Sequence, residues 1–281
     1  MPSAIRQLGL VVHPTRNVDT ALDQIRAWVS ERDVEVGQVD QSVDAADCDL
    51  LVAVGGDGTA LSALHVGARV ARPVLSIACG SLGALTTVSA ERTAWALDEF
   101  ESGRWTHVPV PALSVDWGDE HPAAAINDVV LIRDDPGQII VSITVDGVLY
   151  ARVAGDGLVV ATALGSSAYT MAAGGPLLAP GAEGMTVTPL AVHGGSCPAL
   201  VAGKDSRVEL AIESSTRIRV RCELDGRRIP FEGRVLTVSG RPDFATAVGL
   251  AQAEPRLTGL RRRGLVLDSP RILARDLRES S

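Results

Sequence analysis

The first third of the chain alternates short apolar runs with amphipathic stretches. The apolar runs have the length of buried strands and lie at residues 5–12, 34–39, 50–54 and 74–77. The intervening stretches carry apolar residues at helical spacing and lie at residues 20–32, 59–70 and 90–103. Strands that alternate with helices predict a parallel sheet with helices on both faces. We therefore expect an α/β, Rossmann-like domain over residues 1–107.

The pattern changes from residue 108 onward, where β-rich segments replace the helical ones. These segments lie at residues 108–115, 124–132, 138–145 and 149–153. A charge-free stretch follows at residues 157–182, but its five glycines and two prolines favour a buried segment over a membrane span. We expect a β-rich domain over residues 108–250, and a tail over residues 251–281 that packs back on the first domain.

Composition narrows the class of protein further. Of the 281 residues, 46% are apolar and 21% are charged, which is the balance of a soluble globular protein. The formal charge of −8 argues against a nucleic-acid partner. The four cysteines are widely spaced and form no C-x-x-C pair, so neither a metal centre nor a disulfide framework is expected. Without a signal-peptide pattern, the expected location is the cytoplasm, away from membranes.

The sequence Gly55-Gly56-Asp57-Gly58-Thr59 lies between a predicted strand and a predicted helix. Free backbone amides and the helix dipole favour an anion at a helix start, and glycines let a phosphate come close. A carboxylate in such a turn would repel phosphate unless it has a second role. Asp57 is suited to holding Mg²⁺ or to accepting a proton from an attacking hydroxyl, as phosphoryl transfer requires. The alternative is a simple Asp-Gly turn that closes the strand.

Two polar motifs stand out in the second half of the chain. Asn127 and Asp128 enter an apolar strand, and their donors and acceptors suit a ribose diol or an adenine edge, although a strand-entry cap has the same pattern. Asp156 precedes a second apolar strand, which leads to Gly165-Ser166-Ser167-Ala168-Tyr169. Ser166 or Ser167 is a candidate N-cap for a following helix.

Taken together, these motifs resemble the NAD kinase family. The glycine turn, an Asn-acidic-Val-Val segment about seventy residues later, and Gly-Asp-Gly-Leu followed by Gly-Ser-x-Ala-Tyr and Gly-Gly-Pro follow that family's order and spacing over residues 5–240. Diacylglycerol kinases share the first motif but not the later ones. The resemblance implies transfer of the terminal phosphate of ATP or polyphosphate, with Mg²⁺, to the 2′-hydroxyl of the adenosine ribose of NAD. It also implies a homodimer or homotetramer in which the β-rich domain carries dinucleotide-binding and oligomerisation surfaces.

The resemblance also assigns roles to individual residues. Asp57 matches the catalytic aspartate, and Gly55, Gly56, Gly58 and Thr59 match the phosphate loop. The substrate-binding positions are matched by Asn127, Asp128, Asp156, Ser167, Ala168, Tyr169 and Asp225. Within this set, Asn127 and Asp128 hold the adenosine part, and Asp156 lies near the nicotinamide end. No permanently bound cofactor and no protein metal site are implied.

The chain departs from the family pattern at several positions. Ala78 stands where the family has Asn, Ala84 where it has Phe, and Asp128 where it has Glu. The segment Thr162–Ser166 lacks a proline and a hydroxyl, and the C-terminal closing pattern differs. Two alternatives therefore stay open. The first is a paralogue that phosphorylates another nucleoside or a polyol, and the second is a catalytically weak NAD(P)-binding protein.

Overall fold

The computed structural model of the protein describes residues 5–118, 122–213, 218–252, 256–272 and 275. Its α-helices are α1 (Asp19–Ser30), α2 (Asp57–Val70), α3 (Thr93–Glu101), α4 (Tyr169–Ala172) and α5 (Arg256–Arg262). Its first strands are β1 (Gln7–Val12), β2 (Glu35–Gln38), β3 (Leu50–Gly55), β4 (Val74–Ala78), β5 (Val88–Ser89), β6 (Thr106–Asp116), β7 (Ala123–Ala125), β8 (Asp128–Arg133) and β9 (Ile139–Val145). The remaining strands are β10 (Val148–Gly155), β11 (Gly157–Thr162), β12 (Met185–Leu190), β13 (Leu200–Ala202), β14 (Arg207–Ile212), β15 (Val220–Leu224), β16 (Arg227–Ile229) and β17 (Val235–Gly249).

The chain forms two compact units. The first contains the described residues up to Val108 and those from Ala247 onward, and the second contains those from Pro109 to Thr246. The expected domain limits at residues 107 and 250, with a tail over residues 251–281, stay predictions.

The first unit is built on a parallel sheet with strand order β2-β1-β3-β4. The central strand β3 is buried along its whole length, as its unbroken apolar sequence requires for a strand covered on both faces. Helix α2 follows it directly and turns Ala60, Ala63 and Leu64 toward the core. The carboxyl ends of β1, β3 and β4 therefore lie side by side, which places the loops that follow them at one edge of the sheet.

The second unit contains two antiparallel arrangements of strands. One has the order β10-β9-β14-β17, and the other has the order β13-β12-β11-β8-β15-β16. Apolar side chains from both meet in one core, which includes Leu131, Val160, Ile143, Leu210 and Leu236. A smaller cluster containing Val130, Val159 and Ala161 covers the opposite face of β8 and β11.

The fold class expected from the sequence is confirmed: a parallel α/β unit is followed by a β-rich unit. The charge-free stretch begins with β11, which is buried on both faces and so excludes charged side chains. In the described part of the chain, no helix is both long enough and apolar enough to cross a membrane. Ser166 and Ser167 do not cap α4, so that expectation was wrong, because their hydroxyls donate to the carbonyls of Ala163 and Leu164 instead.

The strand expected over residues 124–132 is interrupted. It forms β7 and β8, which are separated by Ile126 and Asn127. The amides of these two residues donate to the carboxylate of Asp225 and so do not take part in a strand ladder. A side chain from a distant turn has replaced strand pairing here, and the apolar pattern of the segment carried no sign of it.

Gly157 gives a test of the packing in the second unit. A Cβ atom at this position would meet the carbonyl oxygen of Leu131 and lie 2.8 Å from the Cα atom of Ile132, both on the neighbouring strand. Because these neighbours are backbone atoms, β8 and β11 must separate to admit a side chain. We expect Gly157→Ala to lower the free energy of unfolding by about 1–3 kcal/mol, the usual cost of overpacking a core. Urea denaturation followed by circular dichroism measures this change.

Gly195→Ala is the matched control, because a Cβ at Gly195 would have no heavy atom within 4 Å. We expect its denaturation midpoint to equal that of the wild type. Equal midpoints for both variants would contradict the packing described for β8 and β11.

Candidate active site

The glycine turn forms the junction between β3 and α2. β3 ends at Gly55, and Asp57 is the first residue of α2. The first intrahelical bonds are donated by Thr59 and Ala60 to the carbonyl of Gly56, so the amides of Asp57 and Gly58 precede them. A Cβ at Gly55 would meet the side chain of Thr59. The turn thus needs its small residues and leaves amides at the positive end of the helix dipole.

The carboxylate of Asp57 is held by the loop that follows β4. Its Oδ2 accepts from the amide of Ala84 at 2.8 Å, and its Oδ1 accepts from the amides of Leu85 at 2.9 Å and Thr86 at 3.3 Å. The Thr86 hydroxyl lies 3.4 Å from Oδ1 and accepts from the amide of Gly83 at 2.8 Å. Both carboxylate oxygens are therefore fixed in position by consecutive backbone donors.

Glycine at position 83 makes this arrangement possible. A Cβ at Gly83 would occupy the position of the Asp57 carboxylate. The loop after β4 and the glycine turn consequently approach each other closely, and they are also joined by the amide of Cys79, which donates to the carbonyl of Gly55 at 2.7 Å. The contact of this loop's amides with Asp57 was not foreseen from the sequence.

Asp57 lines a cleft of about 620 Å³ in the first unit. The walls come from the ends of β1 and β3, the start of α2, the loop after β4 and the segment after α5. The lining residues are Val11, Val12, His13, Pro14, Arg16, Gly56, Asp57, Gly58, Thr59, Ser62, Ser81, Gly83 and Arg263. Among them Asp57 is the sole carboxylate, whereas Arg16 and Arg263 supply two guanidinium groups. The cleft therefore combines helix-start amides, cations and one fixed carboxylate.

The predicted phosphate residues Gly56, Gly58 and Thr59 all line this cleft with Asp57, and Gly55 lies directly behind them. Arg16 occupies the same edge, with its Nη1 atom 3.4 Å from the carbonyl of Cys79. For the basic run Arg261–Arg263, the sequence favoured a solvated face or a subunit contact and left attraction of ATP as the alternative. Arg263 of this run lines the cleft.

A second group of predicted residues is organised by Asp225 in the second unit. Asp225 and Gly226 form the two-residue turn between β15 and β16, and both have positive φ, 51° and 73°. The Asp225 carboxylate accepts from the amides of Ile126 at 2.8 Å, Asn127 at 2.6 Å and Asp128 at 3.2 Å. Asp225 thus fixes the backbone that carries the Asn127 and Asp128 side chains.

The other side of Asn127 is held by the last residue of β11 and by the loop that follows it. The amide of Thr162 donates to the Asn127 carbonyl at 3.0 Å, and the Thr162 hydroxyl donates to the Ile126 carbonyl at 2.7 Å. A Cβ at Gly165 would meet the Asn127 carbonyl oxygen. Within the described residues, no hydrogen bond engages the side-chain amide of Asn127 or the carboxyl group of Asp128. Both polar groups are free to meet a ligand.

Asp128 is a buried acid with 6% exposure. Burial, followed by the nearby carboxylates of Asp225 and Glu223, raises the pKa of Asp128 to about 6. Near neutral pH the group is thus poised between a carboxylate that accepts two hydrogen bonds and a carboxylic acid that donates one.

Asp156 lies between β10 and β11 and forms an ion pair with Arg133 at the end of β8. The Arg133 Nε atom lies 2.7 Å from Asp156 Oδ1, and both side chains are about one-third exposed. Ser167, Ala168 and Tyr169 form a separate stretch around the start of α4, where Ala168 and Tyr169 are exposed. Asn127, Asp128 and Asp225 are therefore joined by hydrogen bonds, and Ser167–Tyr169 follow Gly165, which lies against the Asn127 carbonyl.

An α/β unit with a fixed carboxylate at a glycine-rich helix start defines a class of phosphate-binding proteins. The sequence matches the ATP-NAD kinase N-terminal domain over residues 8–105 and the ATP-NAD kinase C-terminal domain over residues 126–245. The chain belongs to the NAD kinase family. Membership makes it a phosphotransferase that acts on an alcohol group.

Individual relatives agree with this assignment. NAD kinase 1 of Streptomyces coelicolor is 32% identical over 96% of this chain and 88% of its own length. The crystal structure of an NAD kinase from Archaeoglobus fulgidus in complex with ATP has a TM-score of 0.74 and 26% identity, covering 90% of this chain and 96% of that one. Yeast NADH kinase complexed with NADH has the same fold, with a TM-score of 0.80 and 22% identity over 95% of this chain and 89% of that one.

The titration of Asp128 predicts a pH-dependent contribution to stability. The pKa of Asp128 in the folded protein, about 6, lies above the value of about 3.9 for an unfolded chain. The folded state therefore binds more protons between these values, so the stability that Asp128 contributes is fully present below about pH 4 and is lost as pH rises through about 6.

We expect Asp128→Asn to remove this loss. The free energy of unfolding of Asp128→Asn minus that of the wild type should be about 2 kcal/mol larger at pH 7.5 than at pH 4.5, so that the variant gains relative stability as pH rises. Urea denaturation at the two pH values measures the difference. Asp205→Asn, which removes an exposed carboxylate, gives the baseline for loss of charge. The same difference in both variants would contradict the assignment to Asp128.

Proposed function

We propose that the chain transfers the terminal phosphate of ATP to the 2′-hydroxyl of the adenosine ribose of NAD, giving NADP and ADP. The observation that carries this proposal is the carboxylate of Asp57, fixed by the amides of residues 84–86 in a cleft of helix-start amides and arginines. The chain belongs to a family of kinases, and the Asp57 carboxylate lines the same cleft as the helix-start residues Gly56, Gly58 and Thr59.

The donor phosphates bind at the start of α2. Gly55, Gly56, Gly58 and Thr59 bring backbone amides close to the phosphate oxygens, and the helix dipole favours the negative charge. Arg16 supplies a further cation from the loop after β1. Because the sheet edge in the first unit already aligns these groups, little rearrangement is needed when the triphosphate binds.

Asp57 acts on the acceptor. A ribose hydroxyl is a weak nucleophile until a base takes its proton. Its 2′-oxygen forms a bond to the terminal phosphorus, and the bond from that phosphorus to the bridging oxygen breaks. The bond's electron pair leaves with ADP, and the hydroxyl proton passes to the Asp57 carboxylate and then to solvent. The amides of residues 84–86 hold the carboxylate in a single orientation for this transfer.

The second unit supplies the recognition groups in this proposal. Asn127 and Asp128 bind the adenosine part, supported by the half-buried amide and the buried carboxyl group that other described residues leave free. Asp225, the other predicted substrate-binding residue of this group, also keeps the Asn127–Asp128 backbone in place. Asp156, together with Arg133, is assigned to the nicotinamide end, and Ser167, Ala168 and Tyr169 line the dinucleotide site.

Magnesium fits this site as a companion of the triphosphate. The described residues contain no cluster of three or more His, Cys, Asp or Glu side chains that could hold a metal ion. Mg²⁺ commonly binds through one or two carboxylates and the substrate phosphates, and Asp57 is the carboxylate in reach. When bound, the ion neutralises charge on the phosphates.

A homodimer or homotetramer in the cytoplasm completes the proposal, on the grounds of the family resemblance.

An acceptor and donor panel tests the reaction. Purified protein, Mg²⁺ and ATP are incubated with NAD, NADH, adenosine or inositol, and polyphosphate replaces ATP in a parallel series. We expect phosphate transfer to NAD, measured by enzymatic cycling of NADP. Transfer only to another acceptor would replace this function with that of a paralogue, and tight NAD(P) binding without turnover would indicate a binding protein.

Asp57→Asn tests the role of the carboxylate. General-base catalysis contributes about 10²–10⁴-fold, so we expect kcat for NADP formation to fall by about that factor, while the Kd for NAD stays within about threefold. Isothermal titration measures the Kd. Asp57→Asn also disturbs the loop, because an amide nitrogen would face backbone donors.

Thr86→Val is the matched control for this disturbance, because it removes the hydroxyl near Asp57 Oδ1 and keeps the carboxylate. We expect its kcat to fall by less than about tenfold. Equal losses in the two variants would assign Asp57 to loop anchoring alone.

A further inference from the structure

The segment after α5 brings an arginine into the cleft. Leu260 is buried and anchors α5, and the turn that ends the helix has Gly264 at a φ of 71°. The Nη2 atom of Arg262 lies 3.4 Å from the carbonyl oxygen of Leu82, in the loop that holds Asp57. The C-terminal segment is therefore attached to the loop after β4, and its next residue, Arg263, lines the cleft.

The three consecutive arginines have different surroundings. Arg261 forms a two-pronged pair with Asp268, at 3.0 Å and 2.7 Å, away from the cleft. Arg263 is only 23% exposed and lies closest to Asp57, with its Nη1 atom 3.7 Å from Asp57 Oδ2. That distance exceeds the usual 2.7–2.9 Å or so of a charge-assisted hydrogen bond.

Asp57 does not need Arg263 to satisfy its oxygens, because the amides of residues 84–86 already do so. The Nε atom of Arg263 donates a hydrogen bond to the carbonyl of Gly259 at 3.2 Å. Among the described residues, no further hydrogen bond engages its two terminal amino groups. Arg263 thus has one long ion pair with Asp57 and unused donors on its terminal amino groups, which can bind a further anion in the cleft.

We propose that Arg263 binds the terminal phosphate of the donor and stabilises the charge that develops on it during transfer. The phosphate site at the start of α2 and the guanidinium of Arg263 line the same cleft, and the planar fork of arginine matches a phosphate bidentately. In this arrangement the C-terminal segment supplies an arginine from the same chain to the transfer site, as arginine fingers do in other phosphotransferases.

The chemical consequence follows from the charge of the reacting group. As the bond to the bridging oxygen breaks and the bond to the acceptor oxygen forms, negative charge spreads over the three other oxygens of the transferred group. A cation held on the acceptor side of that group, beside Asp57, lowers the barrier without taking a proton. Nucleoside diphosphates lack this phosphate, so Arg263 should distinguish ATP from ADP.

Three variants of the whole chain test the inference. Two of them, Arg263→Ala and Arg263→Lys, change the cleft arginine, and the third, Arg261→Ala, is the matched control. We expect Arg263→Ala to lower kcat for NADP formation by about 10²–10³-fold, the usual effect of losing one preorganised electrostatic group, with the KM for NAD within threefold of wild type. Arg263→Lys keeps the charge and should recover at least tenfold of that loss. Arg261→Ala removes the same charge outside the cleft and should stay within threefold of wild type.

A binding measurement separates this role from a structural one and needs no turnover. The ratio of the Kd for ADP to the Kd for ATP, measured by titration calorimetry with Mg²⁺, reports the contact with the terminal phosphate. We expect this ratio to fall at least tenfold in Arg263→Ala and to stay unchanged in Arg261→Ala. Thermal melts of all variants check folding, and Arg263→Gln replaces Arg263→Ala if the latter does not fold.

The inference rests on the proposed function only for the acceptor. The wild type could make no NADP and still bind ATP more tightly than ADP, with this preference lost in Arg263→Ala. In that case the proposed reaction fails and the role of Arg263 is supported. An unchanged ratio in Arg263→Ala overturns the inference, even where kcat falls, because Arg263 would then act only through Asp57. A wild type that binds ATP and ADP equally also overturns it.

Discussion

The carboxylate of Asp57 accepts hydrogen bonds from three consecutive amides of the loop that follows β4, and the cleft depends on these bonds. They join two parallel strands at their carboxyl ends, one through its glycine turn and the other through its loop. Without them, the described bond between the loop and the glycine turn is the one from the Cys79 amide to the Gly55 carbonyl. The C-terminal arginines then attach to this loop, so the third wall of the cleft depends on the same bonds.

The same device is used a second time in the other unit. Asp225 accepts from three successive amides, and it too fixes the entry of a segment that carries candidate binding residues. In both cases a carboxylate at a turn compensates amides that have no partner in a strand or helix, which buried backbone requires. Asp57 and Asp225 explain why the loop after β4 and the segment at residues 126–128 keep defined shapes although they are irregular.

Periodicity predicted most of the fold because burial imposes it directly. The unbroken apolar run at residues 50–54 and the helical spacing after Asp57 could be interpreted without knowledge of any distant contact. The glycine turn and the Asn127–Asp128 pair were found because their residue types are unusual at strand ends. The family was recognised from the order of these motifs. Arg133 and the amides of residues 84–86 were missed, and Arg263 was expected at a solvated face or a subunit contact, since each acts through a contact between segments far apart in the chain. The amides of residues 84–86 belong to the backbone, so no particular residue type in the sequence marks them.

The turn at Asp225 and Gly226 has a consequence for the order in which the protein folds. Asp225 and Asn127 are 98 residues apart in the chain, and contacts of such separation slow folding because closing the long loop between them costs entropy. A nascent chain that ends before the β15–β16 hairpin would leave the amides of residues 126–128 without their acceptor. The backbone that carries the candidate binding residues Asn127 and Asp128 is thus fixed only after residue 225 has been synthesised.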